Sequence, residues 1–432
     1  MSDPMIGMFG FLLSLFLISL SVPVALSLGL VGITGYAYIN GFSGVLFVAG
    51  SAPFEAIFPY SLSVIPLFLM MGVFSARCGL SADLFQAANM LLGRLKGGLA
   101  MATIGACAGF GAICGSSLAT VATIGRVALP EMRKAGYSDE LSAASIAAGG
   151  TLGVMIPPSV LLIIYGLLTE QSIGKLFLAA IIPGLLATAL YVICVAISVR
   201  IKPDLLKNKQ VSSPDFEWRI LRKAWPMFAM FTVVIGGIQF GLFSPTEAAG
   251  IGAFGAVALA IARRSLNRES LMSAMRETVG LTGMIFFIII GASFFNFFME
   301  TSGLPQLLVS TVEANGLPPS YALLAIIVFY LVLGCFMDAM SMILLTTPFV
   351  YPLIVSLGFD PIWFGIIVVT VAELGLITPP IGMNLFVVQG VVDDLPASTV
   401  MRGIIPFILA DTVRLALLIF IPALTLYLPS LS

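Results

Sequence analysis

The run Gly149-Gly150-Thr151-Leu152-Gly153-Val154-Met155-Ile156-Pro157-Pro158-Ser159 stands in the middle of an apolar stretch, 141–167. Two prolines in succession break a helix, because each lacks an N–H donor and its ring crowds the preceding turn. The glycines beside them tolerate unwound dihedrals. A second run, Glu373-Leu374-Gly375-Leu376-Ile377-Thr378-Pro379-Pro380-Ile381-Gly382-Met383-Asn384, sits in the apolar stretch 362–388. Its Gly-x-x-x-Pro-Pro pattern falls 222 residues after the first. A single such break reads equally well as a proline kink. Two at matching positions point to a pair of discontinuous helices whose freed carbonyls must be occupied, since hydrocarbon offers them no partner. A cation is one such occupant, and the N-termini of half-helices can meet an anion.

The composition places these helices in a bilayer. Of the 432 residues, 59% are hydrophobic and only 9% are charged, against about 25% charged in an ordinary soluble domain. The net charge is −1, so no basic surface for nucleic acid is expected. There is no His, which excludes His-ligated metals, Ser-His-Asp chemistry and His proton relays together. No Ser-Lys or paired-Asp arrangement stands out either, and an enzyme is not expected. The five Cys (Cys78, Cys107, Cys114, Cys194, Cys335) lie in or beside apolar segments and read as small core residues. The apolar run from Met5 to Leu20 lacks a positive flank and a small-residue cleavage site, so a retained first membrane segment is expected.

Apolar stretches fall near 5–20, 22–39, 55–76, 99–130, 141–167, 176–199, 224–242, 248–262, 279–299, 321–355, 362–388 and 403–428. Most have the length that a helix needs to cross the hydrocarbon. Assigning the loops 77–98, 125–140, 200–223, 263–276 and 389–402 to the cytoplasm puts 18 of the 20 Lys and Arg there, a strong positive-inside asymmetry. Lys175 is the one basic residue in the loops left outside, and Arg414 lies inside the last helix. The stretch 99–130 has basic pairs on both flanks (Arg94 and Lys96, Arg133 and Lys134). A single crossing would leave one pair outside. It is therefore expected to enter and return as a hairpin with its tip at Cys114-Gly115-Ser116-Ser117. Each arm, of about 16 residues or roughly 24 Å, is too short for a ~30 Å core. The stretch 321–355 reads as a second hairpin, entering from outside, with its tip near Met337-Asp338-Ala339.

The 222-residue shift also superposes Pro23 on Pro245, Pro130 on Pro352 and Gly136-Tyr137 on Gly358-Phe359. The fold class expected is an all-α polytopic membrane protein made of two repeats. The first spans 1–210, with hairpin 99–130 and broken helix 141–167. The second spans 223–432, with hairpin 321–355 and broken helix 362–388. A cytoplasmic linker, 200–223, joins them. Five crossings and one hairpin per half make the repeats inverted in topology, as in many secondary transporters.

Several polar residues on these elements could carry chemistry. Ser116, Ser117 and Thr120 supply hydroxyls at the first tip, although small residues there also serve close packing. Asp338 aligns with Ser116 and sits at an intramembrane tip, where a carboxylate is expensive and usually functional. Cation ligation is the favoured role over a protonated structural carboxyl. Ser341, Thr346 and Thr347 can add oxygens on the returning arm. Glu373 precedes the second break and ranks below Asp338. Asp411 and Arg414 form an i,i+3 pair expected to neutralise itself. Trp218 and Trp225 fit an interfacial aromatic belt.

These motifs resemble the large membrane subunit of tripartite ATP-independent periplasmic (TRAP) transporters. The likeness runs through Ile65-Pro66-Leu67-Phe68, Cys114-Gly115-Ser116-Ser117-Leu118-Ala119-Thr120, Gly136-Tyr137, both Pro-Pro runs, Ile182-Pro183-Gly184 and Phe243-Ser244-Pro245-Thr246-Glu247-Ala248-Ala249. It covers essentially the whole chain. The resemblance implies an elevator-type transporter importing carboxylate-bearing solutes with Na⁺ across the bacterial inner membrane. It implies as partners a small four-helix membrane subunit and a periplasmic substrate-binding protein, and no cofactor beyond Na⁺ as coupling ion. Carried onto matching positions, it implies Na⁺ sites at Ser116, Ser117, Gly149, Gly150, Thr151 and Gly153, and at Asp338, Gly375 and Thr378. Substrate would lie between the tips, near Ser116, Thr120, Pro157, Pro158, Ser159, Pro379, Pro380, Gly382 and Asn384. Some members of the family are fused to the small subunit; residues 1–4 leave no room for it ahead of the first span, and an unfused subunit is expected.

Two other readings remain open on the residues alone: a stand-alone anion transporter without a binding protein, and an ion channel. The substrate, among sialic acid, C4-dicarboxylates, other organic acids and sulfonates, is not legible. The charge asymmetry and the odd number of crossings per half place both termini in the periplasm. Cysteines introduced near residues 2 and 431 should react with an impermeant reagent added to intact cells. Protection of either, while a periplasmic control loop labels, would overturn the inverted arrangement.

Overall fold

The computed structural model describes residues 3–206, 218–391 and 395–431. The middle of the linker 200–223 and part of the loop 389–402 lie outside the described residues. Among those described there is no strand. The chain opens with α1 (Asp3–Ser19), α2 (Val24–Ile57), α3 (Val64–Arg77) and α4 (Leu80–Leu92). The first expected hairpin is two helices, α5 (Gly98–Cys114) and α6 (Ser117–Lys134), and the first broken helix is α7 (Asp139–Met155) and α8 (Val160–Leu168). Next come α9 (Ile173–Ile201), α10 (Trp218–Gln239), α11 (Pro245–Ala262), α12 (Arg268–Ser302) and α13 (Leu304–Ala314). The second hairpin is α14 (Pro319–Gly334) and α15 (Ala339–Ser356), and the second broken helix α16 (Pro361–Ile377) and α17 (Met383–Val391). The last long helix is α18 (Ala397–Phe420), followed by the short α19 (Ala423–Leu426). Among the described residues eight helices are long and apolar enough to span a membrane, and nine if α7 and α8, bent by 41°, count as one. The chain is an all-helical, multi-pass membrane protein.

Local chemistry sets these boundaries. Ser138 caps α7 by accepting the Leu141 N–H at 3.3 Å, and Asn267 caps α12 by accepting the Ser270 N–H at 2.6 Å. Ser244 and Glu247 form a reciprocal capping box at the start of α11, with Pro245 in its first turn. Gly303, at φ +67°, takes the left-handed conformation that ends α12.

Two departures from the hydropathy reading have physical causes. The basic segment 77–98 is largely helical: α4 buries Leu80, Leu84, Phe85 and Met90 along one side, a stripe at helical spacing too short to score as a span. The apolar stretch 22–39 continues as helix to Ile57, bent at Gly41 (φ 77°, ψ 170°), where a residue without Cβ is needed.

Each hairpin packs on the broken helix of its own half, α5 and α6 on α7, and α14 and α15 on α16. The halves also interleave. The second half's α17 rests on α6 and α7, and α18 packs on α7, α9 and α16. Two apolar cores result. One gathers the buried faces of α5, α6, α7, α9 and α18 around Ile104, Leu129, Ile146 and Phe407. The other fills the space among α2, α3, α11, α12, α15 and α16, around Phe68, Phe295 and Phe298.

The longest contact is between α2 and α12, and it depends on small residues. A Cβ on Gly32 would lie 2.5 Å from the Phe294 carbonyl carbon and 2.5 Å from the Phe295 nitrogen, and one on Gly291 would lie 2.3 Å from the Ala25 oxygen. Backbone cannot yield as a side chain does. Gly32→Leu should therefore destabilise the purified chain by about 1–3 kcal/mol or more, read as a fall in unfolding temperature. Gly280→Ala, on an α12 face with nothing within 4 Å, should not lower it. Equal behaviour of the two variants would refute the close α2–α12 contact.

Candidate functional site

The i→i+4 ladder of a helix identifies which carbonyls the prolines strand. Pro157 and Pro158 cannot donate to Gly153 and Val154; Pro379 and Pro380 cannot donate to Gly375 and Leu376. The Thr378 N–H turns back to the Gly375 oxygen at 3.1 Å, a tighter i→i+3 bond. Both Pro-Pro bonds are cis. The unwound segments are 156–159 and 378–382, so the first break begins later than its glycines. Gly149, Gly150, Thr151 and Gly153 lie within α7; the lack of side chains at the three glycines serves the approach of the hairpin, while Thr151 turns its hydroxyl to Ala148 and Tyr191.

That approach is close. A Cβ on Gly153 would meet the Thr120 hydroxyl at 2.6 Å and the Ser116 oxygen at 2.9 Å; one on Gly111 would meet the Gly153 Cα at 2.4 Å. Gly115, at φ +64°, turns the first tip and lies against the Pro158 oxygen, 2.7 Å from where its Cβ would stand. In the second half Gly334 and Gly375 touch backbone to backbone, with a Cβ on Gly375 falling 2.6 Å from Gly334. Each tip region is thus seated on its own break.

The two helices that leave the tips are capped by the tip residues. Ser116 caps α6, accepting the Ala119 N–H at 3.4 Å, while its carbonyl oxygen accepts the Thr120 hydroxyl at 2.7 Å. Asp338 caps α15, accepting the Ser341 N–H at 2.9 Å and the Ser341 hydroxyl. The structure also joins the halves. Ser117 donates to Asn384 Oδ1 at 2.9 Å, and Asn384 Nδ2 donates to the Ala147 oxygen at 3.0 Å. One buried amide therefore ties the first tip, the first broken helix and the start of α17. Thr378 spends its hydroxyl on the Leu374 oxygen at 2.5 Å. Ser159 caps α8, accepting the Leu162 N–H at 3.4 Å.

A cavity of about 650 Å³ reaches both tips and both breaks. Ser116 and Ser117 line it from the first tip, Asp338 and Ser341 from the second, and Val154, Val160, Leu376 and Met383 from either side of the breaks. Thr120, Pro157, Pro158, Ser159, Pro379, Pro380, Gly382 and Asn384 do not line it. The first break is buried throughout, whereas Pro380 of the second is exposed. Among the described residues no Lys or Arg lines the cavity. Of its two carboxylates, Glu277 is paired with Arg77 at 2.6 Å, and Asp338 has hydrogen bonds but no ion pair among the described residues.

Beyond the cavity, Glu373 does not end at a helix terminus. Its Oε2 accepts from Arg414 Nη2 at 2.7 Å, and Arg414 Nε lies 3.1 Å from Asp411 Oδ1. The i,i+3 pair of α18 therefore carries a third charged partner from α16. The sequence holds a clue to it: Arg414 is the one cation in the apolar stretch 403–428, and Glu373 lies in another apolar stretch, 362–388.

Residues 11–424 match the family model described as "Tripartite ATP-independent periplasmic transporter, DctM component". The chain belongs to this family. It is 37% identical over 378 residues to the C4-dicarboxylate TRAP transporter large permease protein DctM of Pseudomonas aeruginosa, covering 87% of this chain and 88% of that protein. It is 32% identical over 418 residues to the sialic acid TRAP transporter large permease protein SiaM of Vibrio cholerae, covering 95% of each. Its fold is similar to that of the Alcanivorax borkumensis YdaH transporter, with a TM-score of 0.61 over 88% of this chain and 89% of that one, at 15% identity. DctM-family relatives are transporter permeases, and this chain is a transport subunit rather than an enzyme.

The Ser117–Asn384 bond is the direct link between the halves at the site. Ser117→Ala and Asn384→Ala should each lower thermal stability, and a double-mutant cycle should return a coupling of about 0.5–1.5 kcal/mol. Additive losses would show that the two side chains do not meet.

Proposed function

We propose that this DctM-family chain carries out Na⁺-coupled secondary active uptake of a carboxylate-bearing or similar organic anion across the bacterial inner membrane. It works with a small membrane subunit and accepts substrate from a periplasmic binding protein. The observation that carries the reading is one cavity lined by both hairpin tips and by residues that flank both Pro-Pro breaks, in a chain of this family. The substrate class rests on the names of the relatives, one a C4-dicarboxylate permease and another a sialic acid permease. Na⁺ is the only cofactor invoked.

The electrostatics favour cation coupling. The cavity offers no cationic side chain, and Asp338 brings a carboxylate without an ion pair. An anion entering such a space is opposed by Asp338 and meets favourable potential only from the N-termini of α6 and α15. A cation bound first at each tip reverses that balance. At the first tip the ligands would be the Ser116 and Ser117 oxygens with the stranded carbonyl of Gly153. At the second they would be Asp338 with the carbonyls around Gly375 and the Thr378 region. Substrate would sit between, in contact with Ser116 and the groups at the two breaks. Neutralised tips also cross the membrane at a lower desolvation cost.

The wider architecture follows the same reading. Repeats 1–210 and 223–432 are inverted in the membrane, both termini are periplasmic, and the hairpins with their broken helices move as an elevator against the frame built on α2 and α12.

Reconstitution in proteoliposomes with the partner subunit and a loaded binding protein tests it. Uptake should require a Na⁺ gradient, and Asp338→Asn should raise the half-saturating Na⁺ concentration about tenfold without loss of expression or assembly. Ser116→Ala, where backbone carbonyls can still ligate, should do less. An unchanged Na⁺ dependence in Asp338→Asn removes Asp338 from the ion site. Robust uptake of free substrate by the chain alone would instead favour a stand-alone transporter.

A further inference from the structure

A buried polar chain runs from one broken helix to the other, and the transport reading leaves it without a role. Thr151 Oγ1, on α7, lies 2.8 Å from the Ala148 oxygen and 3.2 Å from Tyr191 Oη on α9. Tyr191 donates to Asp411 Oδ2 on α18 at 2.6 Å and Thr151 donates to the Ala148 oxygen, and in the contact between the two hydroxyls either can turn to donate. The chain then passes from Asp411 to Arg414, and from Arg414 to Glu373 on α16 at the distances given above. Thr151, Tyr191, Asp411, Arg414 and Glu373 are all fully buried. One end stands four residues before the last residue of α7, and the other two residues before Gly375.

Stability is a poor reason for such an arrangement. Removing three charges from solvent costs several kcal/mol per ion, and apolar side chains of similar volume often do as well or better. Directional, charge-assisted bonds supply something that apolar contacts lack: they fix distance and angle between the elements they join. Here four helices are held to one another at the level of the breaks. We propose that Tyr191, Asp411, Arg414 and Glu373 form a positioning relay that holds the two breaks in register, so that a cation bound at one break favours the cation at the other. The proposal rests on the Na⁺-coupled reading above. Linkage makes the effect reciprocal: whatever the first cation does for the second, the second does for the first.

Tyr191→Phe is the cleanest probe. It removes one hydroxyl and keeps the ring, which packs edge-on against Phe407 with centroids 5.6 Å apart. The complete chain with its partners is titrated with Na⁺ for uptake, and the purified chain for Na⁺-dependent thermal stabilisation. The wild type should respond cooperatively. Tyr191→Phe should bring the Hill coefficient toward unity and raise half-saturating Na⁺ about fivefold or more, alongside a lower unfolding temperature in Na⁺-free buffer from the lost Asp411 bond. Asp411→Asn, which weakens the same chain at its next link, should shift the curves in the same direction. A Tyr191→Phe variant with an unaltered Na⁺ curve, whether or not it loses stability, assigns the network to packing alone and overturns the relay. A wild type indifferent to Na⁺ in both assays would instead bring down the Na⁺-coupled reading itself, and the relay with it.

Discussion

A backbone carbonyl in hydrocarbon must find its partner inside the protein, and this structure is arranged around the places where proline withholds one. Pro157-Pro158 withholds donors from the Gly153 and Val154 carbonyls, and Pro379-Pro380 from that of Leu376, the Gly375 oxygen being met by the Thr378 N–H. A break of that kind cannot face lipid unaided, so another element must stand beside it. The hairpin tips do so. Their seating in turn demands glycine at Gly111, Gly153, Gly334 and Gly375, because any side chain would hold the tip away from the break. It also places the caps of α6 and α15, Ser116 and Asp338, on the wall of a shared cavity. Breaks, tips, glycines and cavity are one solution to one constraint.

The two halves use the same pattern in different surroundings. The first break is enclosed, while the second leaves Pro380 exposed. The cause lies in the interleaving: α17 leans on α6 and α7, and Asn384 at its start reaches across to Ser117 and Ala147. The first tip is therefore tied to both halves, and the second hairpin meets the first half through α15, which packs on α8.

The positions of most helices were readable from hydropathy and proline because these act locally. The helix pairs α5–α6, α7–α8, α14–α15 and α16–α17 appear within a few residues of the positions that apolar runs and Pro-Pro punctuation indicate. Short helices were not legible: α4 is amphipathic and only 13 residues long, and Arg94 and Lys96 follow it, so a span-length window averages it away. Nor was the onset of the first break, since Gly149 and Gly150 suggest unwinding but serve helix contact. Contacts across the chain were hidden for a simpler reason. Ser117 with Asn384, and Glu373 with Arg414, are separated by 267 and 41 positions, and no periodicity links them. The family resemblance, carried by ordered motifs over the whole chain, identified the transport class that composition alone left open.

The length of α12 ties this subunit to the thickness of its bilayer. At 35 residues and 1.5 Å per residue the helix is about 52 Å long, against a hydrocarbon core of about 30 Å. Its first turns hold Arg268, Glu269, Arg276 and Glu277 and belong in water. The remaining part up to Glu300, Thr278 to Met299, is about 33 Å long and spans such a core with a modest tilt. Because α2 is locked along it through Gly32 and Gly291, the pair tilts together. Thinner or thicker lipid would lean this frame further or set it more upright, and the cavity wall that α12 supplies through Glu277 and Met284 would shift with it.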